Sequence, residues 1–418
     1  MNLSPLDQSL LNGEHGPAAR MAMSILVRML PVYGATEFMD VTAAHIDSTV
    51  FMGDATMEFA ERLAELGAKV RVPATLNVSG VDEHGWQEWE VPADYAAKAH
   101  RQMVAYQSMG CIPTWTCAPY QTEHRPTFGQ QIASGESNAI AFFNSVIGAR
   151  TERYPDLLDI CAAITGRVPA AGLHLTENRA GDVVLALQGI PKALQRDDSF
   201  YPVLGHFIGA HAPDRIPVIT GLDVQPSEDQ FKALGAGAAS SGAVALFHVV
   251  GATPEAPTLQ DALQGRSPQQ TINVSLDDLI ASRDALSTHP GNRLDMVVLG
   301  SPHFSVTEFQ ALVPLVRGKE RHPDVRFLVT CSRAVREVIG RMGLLEDLKA
   351  FGASLTVDTC PLTTPMLPAD IKVLMTNSAK YAYYSPGLLN TAVVFGRLAD
   401  CVDSAVAGKV IRDERLWR

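Results

Sequence analysis

The sequence predicts an α/β fold with parallel sheets flanked by helices. Three observations predict it. The 418 residues are 46% hydrophobic and 19% charged, which allows a substantial core and argues against disorder. The length suits two domains or one large α/β body. The last third alternates β-branched apolar runs with amphipathic helices, an order that produces a parallel sheet with right-handed crossovers.

Taken in order, Ser4-Pro5 reads as an N-cap followed by Pro at the first helical position, and Gly13 stops that helix. Residues 17–32 carry helical spacing. "EFMDVTAAHI" reads as a strand ending near His45. "DATMEFAERLAELGA" reads as a helix capped by Asp54 and closed by Gly67. "KVRVPATLNVS" is strand-like, residues 93–109 are helical, and "GCIPTWTCAPY" is the loop that follows. In the middle, "GDVVLALQG", "IPVITGL" and "AVALFHVVGA" are the clearest strands. Then "RLDMVVLG", "VRFLVT", "ASLTVDT" and "IKVLMT" read as strands. The helical segments "SVTEFQALVPLV" and "SRAVREVIGRMGLLEDLKAFG" separate the first three. We place an approximate boundary near 290: an N-terminal and middle α/β region over 1–290, and a parallel-sheet region over 291–418, together one catalytic body.

The net charge is −11 and basic residues form no long run. That argues against nucleic acid or an anionic membrane as partner. No apolar stretch is long enough for a transmembrane helix. The start has no basic region followed by an apolar one, so no secretory signal is read there. A cytoplasmic location is the expectation, and stable disulfides are rare in that compartment. No GxGxxG, GxxxxGK[ST], HExxH or GxSxG pattern occurs where it would carry chemistry.

In open α/β sheets ligands bind beyond the carboxyl ends of the strands. Ser301, His303, Cys331, Cys360 and the stretch Asn377–Lys380 follow such ends, so one sheet edge is expected to gather them. Cys161 and Cys401 lie on apolar helices and read as core; Cys111, at a helix exit, reads the same way. Cys117, Cys331 and Cys360 lie in loops. They are either small core residues or soft ligands for an iron–sulfur centre. "SGESNAIAFFNSVIGART" places Glu136, Ser137 and Asn138 at a helix start, where backbone N–H groups can hold an anion. Arg150 can clamp a carboxylate with two hydrogen bonds. "VTAAHIDST" offers His45, Asp47 and Ser48. "TNSAKYAYYSPG" offers Asn377, Ser378 and Lys380.

These motifs, with "LNGEHG", "TCAPY", "GLHLTENR", "SPHFS" and "DTCP", run in order through the chain. Together they resemble the large, catalytic subunit of aconitase X. The resemblance implies an aconitase-like multi-layer α/β body, parallel sheets flanked by helices, without the small swivelling domain. It implies an iron–sulfur hydro-lyase that dehydrates a small 3-hydroxy carboxylic acid. That acid would be cis-3-hydroxy-L-proline, converted to Δ1-pyrroline-2-carboxylate; a mevalonate 5-phosphate dehydratase is the alternative. By position Cys117, Cys331 and Cys360 look like ligands of a [2Fe-2S] or [4Fe-4S] cluster. His45, Ser48, His303 and Lys380 are then the catalytic candidates. Glu136, Ser137, Asn138, Arg150, Asn377 and Ser378 look like a substrate site. One departure is Ser301, where relatives often carry Cys. No segment of domain size remains for the swivelling part, so a separate small subunit is implied as partner. From the residues alone, a zinc hydrolase or isomerase and a non-enzymatic small-acid-binding α/β protein are the rivals.

Overall fold

The apolar runs of the last third pair as their composition demands, because parallel strands buried on both faces need near-continuous Val, Ile and Leu. The computed structural model describes residues 1–418, and the chain divides into two units. One comprises Met1–Ala180 and Asp358–Met366; the other comprises Gly181–Val357 and Leu367–Arg418. The division therefore falls at 180, where the sequence pattern had suggested 290. Residues 181–290 pack with the C-terminal sheet.

In the first unit the strands are β1 (Phe38–Asp40), β2 (Ala43–Ile46), β3 (Ala74–Leu76), β4 (Ile132–Ser134) and β5 (Arg167–Pro169). β1 and β5 form an antiparallel pair, while β3-β2-β4 is a parallel sheet with β2 in the middle. Ser4 caps the first helix, Pro5–Asn12, with a full capping box, and Gly13 ends it in the left-handed region. Asp54 is not a cap: it is the first residue of the helix Asp54–Glu65, and Gly53 holds the cap position. The expected strand 69–79 shrinks to three residues.

The second unit holds two sheets. β6 (Val183–Leu187), β7 (Pro217–Thr220), β8 (His248–Val249) and β9 (Gln270–Val274) pair in the order β8-β7-β6-β9. β10 (Met296–Phe304), β11 (Arg326–Cys331), β12 (Ser354–Thr356), β13 (Val373–Thr376) and β14 (Ala392–Phe395) pair in the order β12-β11-β10-β13-β14. Every pairing in both sheets is parallel. The helical stretch 332–352 breaks into Arg333–Arg341 and Leu344–Phe351, because Gly343 takes a left-handed conformation between them.

β10 is the central strand and is buried along its whole length. Its register with β11 breaks between Leu299 and Phe304. Gly300, with φ +96, makes the break possible. A side-chain carbon there would lie 2.2 Å from the Thr330 carbonyl oxygen, so only glycine fits. The irregularity falls at the carboxyl end of the sheet, where it re-aims Ser301 and His303. The core beneath is built from both helical and strand residues: Leu299, Phe304, Phe309, Val313, Phe327, Val329 and Phe351 belong to one buried cluster. Each such side chain contributes roughly 1.5–3 kcal/mol on burial.

Candidate active site

In the first unit, parallel register builds the site. Thr75, His45 and Ser134 are direct neighbours across β3-β2-β4. Side chains repeat every second residue along a strand. Two residues on, just past the three carboxyl ends, come Asn77, Asp47 and Glu136. Their contacts match that row: the Asn77 amide nitrogen donates to Asp47 Oδ1 and, at 3.2 Å, to Glu136 Oε2. Glu136 also caps the helix Ser137–Phe142, accepting from the Asn138 backbone at 3.1 Å and from the Asn138 amide at 2.7 Å. Ser137 Oγ donates to the same carboxylate at 3.3 Å. The expected helix start at Ser137 is present, yet its cap is already taken by Glu136.

Burial dominates the electrostatics. It holds His45 down to about 4, with Glu136 opposing, so the imidazole is neutral at pH 7. Its Nδ1 lies 2.9 Å from Thr75 Oγ1, and its Nε2 is buried with no hydrogen-bond partner. Burial also pushes Asp47 well above the carboxylate range, and Glu136, Asp156 and Asp159 push the same way; Asn77 opposes. Asp47 therefore keeps its proton to higher pH than an ordinary carboxyl. Burial raises Asp159 to about 6. Asp159 accepts from the backbone of Asp47 at 2.6 Å and of Ser48 at 3.1 Å, and from the Ser48 hydroxyl. Ser48 Oγ in turn accepts from Leu157 N at 2.6 Å. Ser48 is fully buried. Its hydroxyl is committed to holding the turn that carries Asp47.

Cys117 forms a small apolar cluster with Val50 and Val78 in this unit, and Cys360 packs against that cluster. The Cys117 carbonyl accepts from the Asn138 amide at 2.9 Å, which ties the cysteine loop to Glu136. Cys360 belongs here because Asp358–Met366 joins the first unit, not the edge of the second sheet as expected from strand order. Asp358, with φ +65, turns the chain at this point. Cys331 ends β11 and is fully buried in the core of the second unit. No disulfide forms among the six cysteines. In neither unit do three His, Cys, Asp or Glu side chains converge as a ready-made metal group. Two thiols at one apolar cluster fit part of a soft-metal donor set.

Arg150 lies at the wrong end of β4 for a clamp beside Glu136. It pairs with Gln131 at the amino end, about 17 Å along the strand from Glu136 at roughly 3.3 Å per residue. Its guanidinium donates to Thr176 Oγ1 at 2.6 Å and to His174 O at 3.2 Å. It braces the segment Gly172–Asn178.

In the second unit, the carboxyl edge of the five-stranded sheet opens on a cavity of about 220 Å³. Ser301, Asn377 and Ser378 line it, as the strand order predicts. Ser378 Oγ donates to the Ser301 carbonyl and caps the helix Ala379–Leu388, accepting from Tyr381 N at 3.1 Å. Lys380 is half-buried in the first turn of that helix. His303 is buried, and its carbonyl accepts from Lys232 Nζ at 3.3 Å. Lys232 also pairs with Glu308 and, at 3.3 Å, with Asp229. Burial would lower this lysine, but the two carboxylates prevail and hold it charged. Asn77, Asp159 and Lys232 carry no sequence motif. Asn77 alone had a signal, since it stands as far past β3 as Asp47 stands past β2.

The pattern of the Aconitase X first domain matches residues 1–177, that of the second domain 181–284, and that of the third domain 294–407. The chain is 46% identical over 410 residues to the cis-3-hydroxy-L-proline dehydratase of Pseudomonas aeruginosa, covering 97% of this chain and 70% of that protein. It is 44% identical to the enzyme of the same name from Hypocrea jecorina, with 98% and 69% covered. The phosphomevalonate dehydratase large subunit of Methanocaldococcus jannaschii is 31% identical, with 96% and 99% covered. The crystal structure of the Thermococcus kodakaraensis aconitase X holo-form superposes with a TM-score of 0.85 at 31% identity, over 97% of this chain and 100% of that one. The strand order, the three consecutive domain matches and the near-full-length identities agree: the chain belongs to the aconitase X family.

Proposed function

We propose that this chain is the large, catalytic part of an iron–sulfur hydro-lyase acting on cis-3-hydroxy-L-proline. One observation carries the choice of substrate. Identity to the two cis-3-hydroxy-L-proline dehydratases is 46% and 44%, against 31% to the archaeal phosphomevalonate dehydratase subunit. In the reaction the C2 proton and the C3 hydroxyl leave together as water. A C2–C3 double bond forms, and the enamine shifts to Δ1-pyrroline-2-carboxylate.

In this reading Cys117 and Cys360 hold an iron–sulfur cluster, [2Fe-2S] or [4Fe-4S], with Cys331 as the third thiol. When bound, the cluster supplies a Lewis acid at the leaving hydroxyl. Cys331 is the member with the weakest support, because it belongs to the buried apolar core of the second unit. The chain's own residues do the rest. Protonated Asp47 is the proton source for the departing hydroxyl, since neutral His45 is a poor donor at pH 7. Asn377, Ser378 and Lys380 orient the substrate carboxylate at a helix N-terminus. Glu136, Ser137 and Asn138 set the site around Asp47. The base that takes the C2 proton lies on a small swivelling partner. That reading draws support from the coverage: the chain spans nearly all of an archaeal large subunit but only 70% of the Pseudomonas protein. A cytoplasmic location, where thiols stay reduced, completes it.

The test is an anaerobic assay of the chain with a candidate small subunit, on cis-3-hydroxy-L-proline and on mevalonate 5-phosphate. Turnover of the first and not the second is expected. An iron-loaded complex that dehydrates only mevalonate 5-phosphate, or neither, overturns the assignment.

A further inference from the structure

The segment Asp358–Met366 is an excursion: the residues on either side of it belong to the second unit, while the segment itself belongs to the first. It carries Cys360 into a buried space, where backbone polar groups need partners. Asp358, with φ +65, makes the turn. Ser79 N donates to Asp358 O at 2.6 Å, and Glu83 N donates to Asp358 Oδ2 at 3.2 Å. Two almost fully buried threonines, Thr359 and Thr364, supply the next contacts. Thr364 Oγ1 donates to Gly80 O at 2.9 Å, and the two hydroxyls bond each other. Each hydroxyl has one proton to give. With that of Thr364 on Gly80 O, the proton between the hydroxyls comes from Thr359. Ser79 O lies farther from Thr359 Oγ1, at 3.3 Å. The chain of donors thus runs from Thr359 through Thr364 to the Gly80 carbonyl.

Cys360 stands between the two threonines. Its carbonyl accepts from Thr363 N and Thr364 N, each at 3.0 Å, which closes a turn at the cysteine. The anchor residues Ser79 and Gly80 directly follow Val78. Val78 forms, with Val50 and Cys117, the apolar cluster against which Cys360 packs. Cys117 is fastened separately, through its carbonyl to the Asn138 amide at 2.9 Å. We propose that Thr359 and Thr364 are positioning residues for a thiol metal site: their hydroxyl chain holds Cys360 at the Cys117 cluster, so that both thiols are set for a soft metal before one arrives. The inference rests on the reading under Proposed function for the identity of the cofactor, while its geometry stands on the first unit alone. Apolar burial has no direction, so packing on Val50 and Val78 would leave the turn at Cys360 free to slide. Hydrogen bonds to a backbone carbonyl are directional and fix it. A valine at 364 keeps the shape of the side chain and removes the donor to Gly80 O.

The experiment uses the whole chain, stripped of metal and kept reduced. Cd2+, a soft divalent cation, is the probe, followed by its thiolate absorbance in competition with a chelator. Wild type is expected to show a signal that Cys117→Ser and Cys360→Ser each lose. Thr364→Val is expected to bind Cd2+ about 10- to 100-fold more weakly, the usual loss when a group supporting a metal ligand is removed. Thr364→Ser restores the hydroxyl and is expected to stay within about threefold of wild type. Affinities are read on protein that is fully folded by circular dichroism. A loss of stability alone shifts the urea midpoint and not this readout. Unchanged affinity in folded Thr364→Val, or a loss that Thr364→Ser does not restore, overturns the inference. Should Thr364→Val not fold, Thr359→Val decides by the same measure. A failure of both valine variants to fold makes the hydroxyls structural and overturns the inference as well. Wild-type Cd2+ binding that survives Cys360→Ser overturns it without either variant. The expected Cd2+ pattern in a chain that shows no dehydratase activity with its partner overturns only the assigned reaction.

Discussion

The two units solve the same problem differently. Both present chemistry at the carboxyl ends of parallel strands. In the first, three short strands deliver it through register alone: Asn77, Asp47 and Glu136 stand in one row, two residues past Thr75, His45 and Ser134. Desolvation and the neighbouring carboxylates Glu136, Asp156 and Asp159 raise the Asp47 carboxyl. In the second, the end of β10 brings Gly300, Ser301, Pro302 and Phe304 to the cavity. Caps and first turns of helices line it as well: Ser227, Asp229, Thr307, Glu308, Ser378 and Ala379. There one cation, Lys232, is shared between two carboxylates, Asp229 and Glu308. Short strands on a small sheet favour proton storage. Helix N-termini around an open edge favour binding a charged ligand.

The comparison breaks most visibly at the thiols. Cys117→Ser and Cys360→Ser are each expected to lower dehydratase kcat/KM by roughly a thousandfold, since a Lewis acid is worth several kcal/mol, and to bleach the iron absorbance. Activity retained in both would remove the redox-type donor set from the first unit. Cys331→Ser tests the third thiol: unchanged iron content with a lowered melting temperature would make it a core residue.

A next break comes at Asp159. It gathers donors from Asp47, Ser48 and Ile160, so Asp159→Ala is expected to cost about 3–5 kcal/mol of stability in urea titration, as buried hydrogen-bond networks to a charged group do. Ser48→Ala should cost less, about 1–3 kcal/mol. If Ser48→Ala instead abolishes turnover while leaving stability intact, Ser48 is chemical and the structural role is refuted. The smallest effect is expected at Arg150. With its guanidinium on Thr176 and the His174 carbonyl, Arg150→Ala should change KM by less than about threefold and lower stability by about 1 kcal/mol. A KM increase of tenfold or more would return Arg150 to substrate binding.

Much of the second unit was legible in sequence. β-branched runs with helices between them specify a parallel sheet, because each run must be buried on both faces. β14 was passed over as "TAVVF", a run too short to stand out beside a helix. The split at Gly343 was also missed; a glycine inside an amphipathic pattern does not announce whether it will bend or break it. In the site, His45, Glu136, Ser378 and the thiols could be picked out by residue type. Their roles could not. Ser48 and Arg150 look chemical in a string of letters, yet their hydrogen bonds are spent on Asp159, Leu157, Thr176 and His174.

By itself, then, the sequence determined the α/β class, the parallel sheet of the last third, the loop placement of Cys117 and Cys360, and the family to which the motifs point. All of these follow from local periodicity and residue chemistry. Only the tertiary structure decided that Cys117 packs with Cys360 and that Asn77, Asp47 and Glu136 form one row. It alone decided that Lys232 is buried between Asp229 and Glu308. Those outcomes depend on which distant segments share a desolvated space. Burial and pairing there set charge states by amounts that no spacing along the chain encodes.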